Sequence, residues 1–413
     1  MSSNAPTWLD LSDDDLFGIG NLPYGVFSTA GSGPRVGVRI GDHVLDLPVA
    51  AEAAGMESGA VWRAGSLNPF LAHGRAAWTA AREWITEILT NEAYRSVVEP
   101  HLLPLADVTM HLPIAVADYV DFYASEHHAS NVGRMFRPDS LPLTPNWKHL
   151  PIGYHGRSGT VVVSGTDIVR PSGQRKAPTD EAPTFGPSAR LDIEAELGFI
   201  GGGTTALGEP IDIADTDEYL FGVVILNDWS ARDLQAWEYV PLGPFLGKSF
   251  ATSISPWVVT MDALASARIP LPGQNPEPLE YLRGDGDQDV YGLDSSYEGD
   301  WNDTGVSRPS YRDMYWSPAQ MLAHLTVNGA TVRAGDLFGS GTISGPEPQT
   351  RGCFLELTWS GRDPLTLDDG AQRTFLEDGD TVTLRASAVG ANGTRIGLGE
   401  CVGSILPAHQ RDH

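Results

Sequence analysis

The chain has 413 residues, of which 46 are glycine and 41% are hydrophobic. It is long enough for two domains, one of them large. Its 27 basic against 53 acidic residues give a net charge of −26, which speaks against nucleic acid or an anionic membrane as partner, since both are held by clustered Lys and Arg. Two cysteines, Cys353 and Cys401, offer no disulfide framework. No apolar run approaches the roughly 18 residues of a membrane span, and the N-terminus has neither a basic n-region nor an apolar h-region. A cytoplasmic enzyme is expected.

In chain order, residues 20–48 alternate short apolar segments with turns and predict a small β-meander. A helix is expected over 75–93, because Trp78, Ala81, Ile85, Ile88 and Leu89 recur at 3.6-residue spacing. Strand and connector follow over 97–116, and the domain boundary is placed near 115, dividing the chain into 1–115 and 116–413. Beyond it, strands are expected over 160–164, 191–200, 220–226, 331–338, 353–359 and 380–388. A helix is expected over 229–240 and an exposed Asp/Gly-rich loop over 283–304. Strands dominate, so the class is mainly β (α+β), a mixed architecture rather than a doubly wound sheet.

Chemistry gathers in the second part. Asp192, Glu194 and Glu196 alternate with apolar residues, so on a strand they share one face. A solvated face and a cation site both account for that run; a bound ion would relieve the repulsion of like charges. The apolar run 223–226 ends at Asn227-Asp228, just before a helix, where functional groups are commonly placed. Asp228 there is either a ligand or part of a cap, and Ser230 with Asp233 resembles a capping box. Asp121 and Tyr123 share a face if extended, and His127 and His128 follow, either suited to act as a base near neutral pH. Gln235 and Tyr239, at i and i+4, project from one helix face.

Several patterns are excluded. Gly243 to Ser249 has three residues between its glycines where a phosphate loop needs four, and Gly339 to Gly345 misses the dinucleotide fingerprint by one residue. Asp285 to Asp289 begins like a calcium loop but lacks its glycine and its glutamate, with Val290 and Ser296 in their places. No Gly-x-Ser-x-Gly elbow occurs.

Taken together, DYVDFY, HASNVGRMFR, LPIGYHGR, NDWSARDLQAWEYVPLGPFLGKSF, TSISPWVV and GSGTISGPEP resemble the fumarylacetoacetate hydrolase family over nearly the whole chain. The resemblance implies a small N-terminal SH3-like β-barrel, a larger C-terminal mixed β-roll domain, and a homodimer. It places the ligands of a divalent metal, Ca²⁺ or Mg²⁺, on Asp121, Glu194, Glu196 and Asp228, with Lys248 and Thr252 beside it. It places the general base on His128 and its orienting acid on Glu356. Arg137, Gln235 and Lys248 fall around the reacting carbonyl, and substrate contacts on Tyr123, Arg137, Tyr154, Gln235, Tyr239 and Thr342. The implied reaction is hydrolysis of a carbon–carbon bond in a 1,3-diketo acid, releasing fumarate and acetoacetate. The competing readings are an acylpyruvate hydrolase or related 2-keto acid hydrolase or hydratase, and a non-catalytic calcium-stabilised β protein.

Overall fold

The computed structural model describes residues 7–12, 14–56, 60–286 and 289–410. Strands Tyr24–Ser28, Arg35–Ile40 and His43–Asp46 form the expected meander. With Leu102–Pro104 and Thr109–His111 at its edges it becomes a five-stranded antiparallel sheet. Helix Arg75–Thr90 buries Trp78, Ile85, Ile88 and Leu89, the apolar stripe that its periodicity requires.

The centre of the molecule is an eight-stranded sheet. Strand Leu220–Asp228 is buried at every residue. Its Val223 and Ile225 face one hydrophobic core, while Val224 and Leu226 face the other. Burial on both faces is why its sequence reads as an unbroken apolar run. The N-terminal unit packs on that second side. Tyr24 and Trp78 pack against Phe221, tilted and edge-on, with ring centroids 5.7 and 5.2 Å away, and Tyr24 exchanges two backbone hydrogen bonds with Val258. Next to Leu220–Asp228 runs Ala195–Gly201, then Leu337–Gly339, then Tyr119–Phe122 in parallel. A five-stranded sheet built on Ser295–Trp301, Thr381–Val389 and Arg395–Leu406 covers the first core.

Several local expectations are corrected. The segment 353–359 is not a strand: Phe354–Leu357 is a short helix. Only Leu337–Gly339 of 331–338 is a strand. The run 191–200 breaks into Leu191–Asp192 and Ala195–Gly201, and all of it is buried, which removes the solvated-face reading. From Gly292 onward the segment 283–304 is largely sheet, not exposed loop. Ser295–Trp301 alternates burial and turns Tyr297 and Trp301 inward, a period of two that the acidic residues around it obscure. Of the run Asp285 to Asp289, positions 287 and 288 lie outside the described residues. The helix expected over 229–240 is Arg232–Glu238, and the Ser230/Asp233 box does not form. Ser230 donates instead to the Asp228 carbonyl at 3.0 Å, and Asp233 accepts from Ser188. Among the described residues, no helix is long and apolar enough to cross a membrane.

Candidate active site

The strand ends converge. Asp121 lies near the end of Tyr119–Phe122 and pairs in register with Gly339. Glu196 lies on Ala195–Gly201, Asp228 closes Leu220–Asp228, and Glu194 sits in the break between strands. A carboxylate oxygen from each of these four lies within 4.8 Å of the others, and all four side chains are buried. Gly339 makes the convergence possible. A Cβ there would come within 2.6 Å of Glu196 Oε2 and 3.0 Å of Asp121 Oδ1, so any side chain would intrude into the cluster.

Two cations border the acids. The Lys248 ammonium bridges Glu194 and Asp228, at 2.9 Å from Asp228 Oδ2. Arg232 reaches Glu194 Oε1 at 2.8 Å. Thr252 donates to Asp228 Oδ1 at 2.8 Å and Tyr154 to Asp228 Oδ2 at 3.2 Å. Two oxygens are left over: Asp121 Oδ1 and Glu196 Oε1 are buried and no protein donor reaches them. Buried polar atoms almost always find partners, so these two mark where a further electropositive group belongs. The charges agree. With Asp192, which shares Arg232, five carboxylates against Lys248 and Arg232 leave three negative charges, two of which one divalent cation would cancel. An all-oxygen donor set suits a hard cation such as Mg²⁺ or Ca²⁺, so the residues fit the implied metal.

Titration follows the same contrast. Burial, then the neighbouring acids, push Asp121 and Glu196 well above the ordinary carboxylate range. Burial likewise raises Asp228 against the pull of Lys248. Burial would lift Glu194 too, but Lys248 and Arg232 outweigh it and hold it well below that range. Burial works against the Lys248 ammonium, yet Asp228 and Glu194 prevail and raise it, so it carries its proton.

The base pair is assembled on two elements. Ser125 caps helix Glu126–Phe136, its hydroxyl accepting from the His128 amide at 3.3 Å. His128 thereby sits in the first turn, with Tyr123 edge-on to its ring at 5.3 Å. Its Nδ1 is 2.6 Å from Glu356 Oε2, and its Nε2 is 3.9 Å from Glu194 Oε1. Glu356 also accepts from Asn131 and Ser344, each at 2.8 Å. Burial opposes its charge, but His128 and these donors override it and hold its carboxyl at about 2.

A cavity of about 430 Å³ opens beside these groups. Its walls include Asp121, Tyr123, His128, Arg137, Tyr154, Glu194, Gln235, Tyr239, Lys248 and Thr342. Thr342 Oγ1 is buried without a protein partner. Glu196, Asp228, Thr252 and Glu356 stand behind that wall. Every residue that the family resemblance assigned to the site is therefore in one place, whereas Asp192 does not join the four acids and His127 does not line the cavity. The sequence reading passed over Arg232, which is buried in the cavity wall with one terminal nitrogen unpartnered. It also passed over Gly339. A basic residue four positions after Asp228, at the start of the helix, was the available signal for Arg232.

The chain matches the family model described as fumarylacetoacetate hydrolase C-terminal over residues 118–405, and that described as fumarylacetoacetase N-terminal over residues 20–113. It is 46% identical to the human fumarylacetoacetase, over 97% of this chain and 99% of that protein. It is 48% identical to the Caenorhabditis elegans fumarylacetoacetase, over 97% and 99% of the two chains. Among solved structures it is similar in fold to a fumarylacetoacetate hydrolase from Exiguobacterium antarcticum, with a TM-score of 0.55 and 18% identity over 94% of this chain and 99% of that one. The chain belongs to the fumarylacetoacetate hydrolase family.

Proposed function

We propose that the protein is a cytoplasmic homodimer that hydrolyses the carbon–carbon bond of 4-fumarylacetoacetate to fumarate and acetoacetate, the last step of tyrosine and phenylalanine breakdown. It works with Mg²⁺ or Ca²⁺ and divides into domains 1–115 and 116–413. Full-length similarity to fumarylacetoacetases supports the reading. The observation that carries it is a buried imidazole held at Nδ1 by a carboxylate, with Nε2 turned toward a cavity beside four converging acids.

Asp121, Glu194, Glu196 and Asp228 would hold the cation; Thr252 steadies Asp228, and Lys248, protonated and without a lone pair, balances charge. When bound, the cation would act as a Lewis acid that polarises a substrate carbonyl and stabilises negative charge on its oxygen. Glu356 fixes the His128 tautomer with the proton on Nδ1, which leaves the Nε2 lone pair to remove a proton from water. The water oxygen bonds to the carbonyl carbon, the adjacent carbon–carbon bond breaks, and its electron pair leaves with the acetoacetate half as an enolate. The proton held on His128 then passes to that carbon, which balances the reaction. Gln235, Arg137 and Lys248 line the space where the oxyanion and enolate charge develop. Tyr123, Tyr154, Tyr239 and the free hydroxyl of Thr342 are the remaining groups that meet substrate oxygens.

The test is release of fumarate from fumarylacetoacetate by the purified protein, before and after chelation, with acylpyruvates assayed in parallel. Fumarate should appear, vanish on chelation and return with Mg²⁺ or Ca²⁺. Turnover of acylpyruvates alone would sink the substrate assignment.

A further inference from the structure

One fully buried carboxylate outside the metal cluster touches both halves of the machinery. Asp192 has no solvent exposure. Its Oδ2 accepts from Arg232 Nε at 2.7 Å and from the Leu355 amide at 3.0 Å. Its Oδ1 accepts from the Phe354 amide at 2.7 Å and from the Ile193 amide at 2.8 Å. The two amides at 354 and 355 open the four-residue helix that carries Glu356, and no local side chain caps that helix. The Arg232 guanidinium, held at Nε by Asp192, extends through a second nitrogen to Glu194 at 2.8 Å and Gln235 at 3.1 Å.

We propose that Asp192 is a positioning residue for the hydrolysis argued above, on which this inference rests. It sets the His128–Glu356 pair at a fixed distance from the Arg232, Glu194 and Gln235 side of the cavity. The physical argument is one of rigidity. A carboxylate offers about four acceptor sites, and here all four are filled from two elements 162 residues apart in sequence and from a third that carries Arg232. Neither the short helix nor the arginine can shift without breaking charge-assisted bonds in a water-free interior, where such bonds are costly to leave unmade. A misplacement of about 1 Å away from the reacting atoms can cost about 10²-fold in rate, so a residue that touches no substrate can still govern turnover.

Two variants separate this role from mere stability. Asp192→Glu keeps the charge and the acceptors but adds a methylene, which drives the helix and Arg232 apart. It should lower kcat by about 10-fold with KM and metal affinity little changed. Asp192→Asn turns an amide donor toward donors and should lower kcat by about 10²-fold, a larger loss than that of Asp192→Glu. Combined with Glu356→Gln, either variant should add little further loss, because the effect passes through Glu356. If the folded variants keep wild-type kcat while only the melting temperature falls, or if their losses multiply fully with that of Glu356→Gln, the positioning role is overturned. If Asp192→Asn does not fold, Asp192→Glu and its cycle decide alone. Wild-type protein that fails to release fumarate overturns the function reading and this inference with it; active wild type with indifferent Asp192 variants overturns this inference only.

Discussion

Two buried glutamates of the same site are treated in opposite ways. Glu356 receives His128 Nδ1, Asn131, Ser344 and the Cys353 thiol and stays ionised down to about 2. Glu196 receives one backbone amide, Gly341 at 3.0 Å, on one oxygen and nothing on the other, and burial with its acidic neighbours pushes it up. Desolvation disfavours both charges equally in kind. The difference lies in who supplies the compensating donors. Around Glu356 the protein supplies all of them, so this carboxylate orients a neighbour. Around Glu196 the protein withholds them, so this carboxylate is prepared for a cation.

The largest effect expected from that contrast is on metal binding. Glu196→Gln removes a charge where the protein provides no substitute. Calorimetric titration with Mg²⁺ or Ca²⁺ should show a loss greater than the roughly 10- to 100-fold that outer-sphere partners cost, and activity should fall with it. Asp121→Ala should behave alike. Unchanged affinity in both would mean that the four acids are structural. Gly339→Ala is a steric version of the same test. It leaves every carboxylate in place but puts a methyl group among them, and metal-dependent thermal stabilisation should disappear.

The next effect is on turnover without metal loss. His128→Gln should lower kcat by about 10²- to 10⁴-fold, the range of general-base contributions, while the cation still binds. Glu356→Gln should act in the same direction and more weakly, since it disturbs orientation and not the base itself. A His128→Gln enzyme that keeps near-normal kcat would remove the base assignment. Loss of metal binding in Glu356→Gln would blur the contrast between the two glutamates, because Glu356 would then be supporting the cation site as well.

The two sides also differed in how visible they were in the sequence. The cluster was legible because Glu194 and Glu196 keep a period of two across the start of one strand and Asp228 ends an apolar one, and the pairing of those strands brings them together. The segment carrying Glu356 was misread as a strand. Cys-Phe-Leu-Glu-Leu-Thr-Trp is short and mostly apolar, with two aromatic residues, where periodicity cannot separate strand from helix. Its helix start has no cap of its own; the amides are taken by Asp192, far away in sequence. Arg232 was missed for the same reason: its partners Asp192 and Glu194 lie on another strand. The role of Glu356 came from family resemblance, and nothing local in the chain pointed to it.

A third buried carboxylate sharpens the comparison with the smallest expected effect. Asp336 accepts from the Arg333 amide on one oxygen, while the other has no hydrogen bond. It stands outside the acidic cluster, with Arg333 at 3.5 Å from that second oxygen, and burial outweighs the arginine and raises it to about 6. A carboxyl raised on folding binds its proton more tightly in the folded state. Its contribution to stability is therefore fully present below about pH 4, the ordinary Asp value, and is lost as pH rises through about 6. A shift of this size corresponds to at most about 3 kcal/mol, less whatever Arg333 and solvent screen. Asp336→Asn cannot ionise. Its melting temperature should rise relative to wild type between pH 5 and 8, by an amount worth about 1–2 kcal/mol, with metal affinity and kcat unchanged. Parallel melting curves for the two proteins across that interval would show that burial does not outweigh Arg333 at this half-satisfied carboxylate.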